Sequence, residues 1–157
     1  MLPLVFVLLA IALIVGPIMM MQPNSRQRKE IALRDRALKL GMRVHILPLK
    51  VGKETRHIPA YCLPWKTDRA DHKHWLLQRR SFEHDLHFSQ RWDWVDGAEA
   101  GKNWHEGLQN LLPKMPDSVL AVSNGPQGVC IYWTEKGEAS LLDTFAYCLK
   151  SLAEIGE

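Results

Sequence analysis

The chain has 157 residues, 46% hydrophobic and 24% charged, with a formal net charge of +3 and a mean hydropathy of −0.18. These values exclude a disordered chain, a collagen-like chain, a disulfide-dense miniprotein and a multi-span membrane protein. They leave room for one domain of ordinary size and name no activity.

The averages conceal an uneven chain. Residues 2–21 (LPLVFVLLAIALIVGPIMMM) carry no charge. Twenty helical residues span about 30 Å, the thickness of the hydrocarbon core, so residues 1–22 are expected to be a transmembrane anchor. Pro3 falls in the first turn, where a missing N–H costs nothing, and Gly16-Pro17 should kink or loosen the last turn. A cleaved signal peptide is the rival reading. It requires a basic stretch before the apolar run and a small-residue exit. Here no Lys or Arg precedes the run, which leaves through Met19, Met20, Met21, Gln22 and Pro23.

Residues 23–41 form a basic juxtamembrane segment. Arg26, Arg28, Lys29, Arg34, Arg36 and Lys39 follow the span closely. Positive flanks stay cytoplasmic, so the expected placement is a bacterial inner membrane with the N-terminus outside and the C-terminal bulk in the cytoplasm. Cys62, Cys130 and Cys148 are an odd, sparse set, which fits a reducing compartment. Asn24 or Ser25 can cap a helix over residues 24–40, and Gly41 fits the left-handed position after it. The basic face suits contact with anionic membrane lipid, though a solvated helix whose charges only set topology accounts for it too.

Residues 42–157 are expected to be the cytoplasmic α+β domain. Met42, Val44 and Ile46 alternate with polar residues as a strand ending near Pro48, and Gly52-Lys53-Glu54 reads as a turn. Residues 58–65 give a second strand, which Pro59 and Pro64 push toward a sheet edge. Residues 74–82 and 86–95 read as a hairpin across Glu83-His84-Asp85. Asn103, with Glu106 three residues on, opens a helix in the manner of a capping box; Pro113 and Pro116 end it. Residues 118–123 and 129–134 flank Asn124-Gly125-Pro126-Gln127-Gly128, a strong hairpin signal, and a last helix covers residues 140–155. The expected fold is a small, mostly antiparallel sheet with helices packed on one face.

Chemistry-bearing patterns are sparse. His72, His74, His84 and His87 could supply nitrogen ligands to a metal, but they match no zinc spacing, and polar histidines around an exposed hairpin explain them more simply. No nucleophile elbow, phosphate loop or dinucleotide fingerprint occurs in the sequence, so no enzyme activity and no cofactor are expected. Trp92, Trp94, Trp104 and Trp133 fall on predicted core faces. Trp65 and Trp75, beside prolines and a polar loop, are the candidate partner contacts. Residues 22–43 hold seven basic and two acidic residues, a net of +5; residues 44–157 hold thirteen basic and fifteen acidic, a net of −2. An acidic domain argues against nucleic acid as a partner.

The first fifty residues resemble the preprotein translocase accessory subunit YajC. The resemblance rests on one N-terminal span, then Gln22-Pro23-Asn24-Ser25-Arg26-Gln27-Arg28-Lys29-Glu30, then Ala37-Leu38-Lys39-Leu40-Gly41-Met42-Arg43-Val44. It implies a single-pass inner-membrane protein that associates with Sec translocon subunits. The alternatives are a membrane-anchored scaffold or subunit of another membrane complex, and a metal-binding or enzymatic domain built on the histidines of residues 72–87.

Overall fold

The computed structural model describes residues 2–67, 73–81 and 88–156. Two compact units divide the chain, Met1–Ala32 and Leu33–Glu157.

In the first unit, helix α1 (Leu2–Met20) is 19 residues long and buries none of them. It is long and apolar enough to cross a membrane, a test that a signal sequence also passes. The helix runs through Gly16-Pro17 without a break, and the Met21 N–H still reaches the Pro17 carbonyl at 3.1 Å. Helix α2 (Ser25–Lys39), which runs across the boundary between the units, begins with a reciprocal cap. The Gln27 N–H donates to Asn24 Oδ1 and the Asn24 N–H donates to Gln27 Oε1, each at 3.0 Å. This satisfies two of the N–H groups that a helix start leaves unpaired, and it selects Asn24 over Ser25 as the cap. Gly41, with φ +84°, terminates the helix as expected.

The second unit is α+β. Strands β1 (Arg43–Val51), β2 (Glu54–Leu63), β3 (Trp75–Arg79), β4 (Trp92–Trp94), β5 (Val119–Gly125) and β6 (Gly128–Trp133) form one antiparallel sheet in the order β1-β2-β6-β5-β3-β4. Helix α3 (Lys102–Leu111) precedes β5, and α4 (Leu141–Gly156) closes the chain.

Several local expectations are corrected. Strand β1 continues through Pro48 to Val51, which its place at the sheet edge permits. Strand β2 is interior despite Pro59. Its β6 partner pairs only Ala60 to Leu63, so Pro59 sits where that side has no ladder to break. The stretch expected as one strand over residues 86–95 is interrupted. Gln90 takes φ +51°, and Trp92, the first residue of β4, pairs back onto Ser89. The hairpin connection Glu83-His84-Asp85 lies outside the described residues. Helix α3 starts from Gly101 without a side-chain cap, and Asn103 lies inside it, donating to the Ile155 carbonyl at 3.4 Å.

The sheet's two faces differ. One packs Tyr61, Leu77, Ile131 and Trp133 against α3, α4 and the last turns of α2. Trp133 meets Phe145 of α4 edge-on at 5.3 Å between ring centroids. Each side chain so buried is worth roughly 2–3 kcal/mol of transfer free energy. Among the described residues no helix contributes to the other face, yet Leu49, Ala60, Cys62, Ala121, Cys130 and Tyr132 form a second buried cluster there. The curvature of the sheet explains it. The Gln78 side chain on β3 reaches the Lys50 carbonyl on β1, so the β1–β2 hairpin arches over the concave side.

Candidate interaction site

The candidate residues separate into distinct settings. Trp75 is 1% exposed and is a core residue, not a surface contact. It stacks edge-on with Trp94 at 5.9 Å and Trp104 at 5.2 Å. It alternates inward along β3, and the neighbouring polar loop had suggested an exposure that the strand does not give it. Trp65 stays half-buried just past the end of β2. Its Nε1–H donates to the Gly125 carbonyl at 3.1 Å, and its ring meets Trp104 edge-on at 6.4 Å.

The basic residues are partly engaged. Arg26 pairs with Glu30 at 3.0 Å and Lys39 with Asp35 at 2.7 Å, both one helical turn apart. The Arg28 Nε–H donates to the Pro23 carbonyl. Arg34 and Arg36 lie in the part of α2 that belongs to the second unit and make ion pairs within that unit. Arg34 donates to Glu135 at 3.4 Å and Arg36 to Asp143 at 2.6 Å. The Glu135 carboxylate, 8% exposed, also accepts the Tyr61 hydroxyl at 2.8 Å. Lys29 is exposed on α2.

His72, His84 and His87 lie outside the described residues; His74 is exposed. Among the described residues no group of three His, Cys, Asp or Glu side chains is placed to hold a metal.

The cysteines overturn the expectation of unpaired thiols. Cys62 on β2 and Cys130 on β6 stand directly opposite one another and form a disulfide, with Cα atoms 4.0 Å apart. Alternation places both on the concave face, so their facing sulfurs follow from a register that sequence spacing alone does not reveal. Cys148 is free and buried on α4, and burial pushes its thiol pKa up.

Clefts open at several places on the described part of this unit, one of about 200 Å³ between α3 and α4. A second, of about 370 Å³, lies between the β1–β2 turn and β3. Its arginines are committed: Arg79 pairs with Asp117, donates to the Met115 carbonyl at 2.9 Å and covers the Trp92 ring, while Arg80 pairs with Asp93. Burial lowers the Arg79 pKa, and Asp117 opposes that shift.

A third cleft, of about 330 Å³, lies where β2 ends against α4. Leu63, Pro64 and Ala153 give it apolar walls, and Lys66, Lys150 and Glu154 stand around it. Lys150, Ala153 and Glu154 share one helical face by their spacing. Trp65 fixes the wall, because it is pinned to Gly125 and its ring lies against the C-terminus of α4 at Gly156. Sequence reasoning had marked Trp65 but missed the cleft, whose two sides are separated by almost ninety residues of chain.

Comparison with protein-family models, curated proteins and solved structures finds no match to this chain.

Proposed function

We propose that this chain is a single-pass membrane protein whose α+β unit is a non-catalytic interaction module. The observation that carries the reading is the join of two unlike parts. An apolar helix with no buried residue precedes a unit with its own extensive core. The partner is a membrane protein, and the resemblance of the N-terminal third to YajC supports Sec translocon subunits and an accessory role. A scaffold in another membrane complex is the alternative. Crosslinking in native membranes followed by identification of attached proteins tests this. Enrichment of translocon subunits is the expected result; their consistent absence, with another complex enriched, leaves the scaffold.

The six basic residues after α1 support an inner-membrane placement with the N-terminus outside and the α+β unit in the cytoplasm. The Cys62–Cys130 disulfide favours a second reading, with the unit on the oxidising side of the membrane. One experiment separates them. A reporter active only in the cytoplasm is fused after Glu157, and cells are quenched in acid before their thiols are alkylated in denaturant, because all three cysteines are buried in the fold. An active reporter with three alkylated cysteines upholds the first reading. An inactive reporter with one alkylated cysteine upholds the second.

A further inference from the structure

We infer that the cleft between the end of β2 and α4 receives the C-terminus of a partner polypeptide, with an apolar last side chain inside and the terminal carboxylate at the two lysines. This rests on the reading of the unit as an interaction module and names the chemistry of its partner.

The walls supply the first half of the argument. Leu63, Pro64 and Ala153 are all partly buried, so the cleft offers carbon surface that one aliphatic side chain can cover. Its volume, about 330 Å³, lies at the small end of the range for ligand pockets. The wall is held in place, because Trp65 is fixed by its bond to Gly125 and by Trp104. A preformed wall lowers the ordering cost of binding.

Charge supplies the second half. Lys66 and Lys150 both border the cleft and are exposed, and among the described residues neither makes an ion pair. Glu154, one turn beyond Lys150, is the single acidic group there among the described residues. Two ammonium groups against one carboxylate leave an excess of one positive charge beside an apolar hollow. A chain terminus matches it: the terminal carboxylate faces the lysines, and the preceding backbone N–H groups can donate to Glu154. A wholly apolar segment would leave the lysines unanswered, and a strongly acidic one would be repelled by Glu154.

The test uses the full chain in nanodiscs of zwitterionic phosphatidylcholine and a peptide labelled at its N-terminus, ending Gly-Ala-Leu. Fluorescence anisotropy reads binding. The free acid should bind about tenfold more tightly than its C-terminal amide, as a charge-assisted hydrogen bond would give. Lys66→Gln and Lys150→Gln should each weaken the acid several-fold and leave the amide unchanged. Ala153→Phe should abolish binding of both. Equal binding of acid and amide overturns the proposal, as does wild-type affinity in both lysine variants. Binding of a fluorescently labelled decanoate with no measurable peptide binding also overturns it, making the occupant a fatty acid. If a partner is recovered from membranes equally well with the Lys66→Gln/Lys150→Gln double variant, the cleft is the wrong site and the module reading survives.

Discussion

The Gln78 side-chain amide on β3 donates to the Lys50 carbonyl on β1 at 2.7 Å, although β2, β6 and β5 lie between these strands in the sheet. A flat sheet would hold strands so separated about 19 Å apart, at roughly 4.8 Å per step. The contact therefore measures how strongly the sheet curls. It also explains how a face to which no described helix contributes keeps Cys62 and Cys130 at 0% and 2% exposure.

Gln78→Ala should loosen that arch. The lost bond leaves the Lys50 carbonyl without its partner, at a cost of about 1–2 kcal/mol. Because the arch covers both sulfurs, dithiothreitol should reduce the disulfide faster in this variant than in the parent. An unchanged reduction rate would show that the sulfurs are shielded by something else.

The disulfide closes a loop across a sequence separation of 68 residues. Chain entropy assigns such a crosslink about 4 kcal/mol of stability. A Cys62→Ala/Cys130→Ala double variant should therefore lose about 2–5 kcal/mol in urea denaturation. Cys148→Ala should leave the disulfide intact.

Gly128 cannot carry a side chain. It has φ +107°, and a Cβ there would lie 1.9 Å from the Leu63 carbonyl oxygen. The neighbour is backbone, in the strand that walls the cleft, so it has little freedom to yield. Gly128→Ala should cost about 3 kcal/mol or more. Gly52→Ala is the control. That glycine has φ +66° and open space around it, so only the backbone preference is lost, about 1 kcal/mol.

Glu135 joins two donors from distant parts of the chain, Arg34 and Tyr61. Tyr61 is fully buried, so Glu135→Ala removes the carboxylate to which its hydroxyl donates and should cost about 1.5–3 kcal/mol. Arg34 is 41% exposed, and Arg34→Ala should cost less, about 1 kcal/mol or below. Equal losses in the two variants would contradict this ranking; thermal or urea unfolding measures both.

Alkaline pH should destabilise the folded unit. Burial raises the pKa of Cys148 above its usual 9.0 and that of Tyr132 above its usual 10.0, the latter against a hydrogen bond with Ser123. The folded chain thus holds these protons more tightly than the unfolded chain does. Their contribution is complete below the unfolded values and is lost as pH rises through the folded ones. Urea midpoints should fall as pH rises from about 8 to about 11. Cys148→Ala and Tyr132→Phe should each flatten the decline.

The sequence made the chain's periodic features legible. The apolar run, the Asn24 cap, Gly41 and the β5–β6 hairpin are local patterns, and each has its counterpart in the structure. What escaped depends on pairings far apart in sequence. Pro59 looked like an edge residue because nothing local shows how far β6 extends alongside β2. Trp75 looked exposed because its loop neighbours are polar, whereas β3 turns it inward. Cys62 and Cys130 meet only through the β2–β6 register. The cleft likewise required the end of β2 to be laid against the last turns of α4.

The ion pairs of α2 also have an order in time. Arg34 and Arg36 find Glu135 and Asp143 only 101 and 107 residues later in the chain. At about 5–20 residues per second, a ribosome needs roughly 5–20 s to make that interval. Throughout it, both arginines leave the ribosome without these partners. Any machinery that reads charge beside an emerging span meets their full positive charge, and the carboxylates that later neutralise them arrive after that reading has been taken.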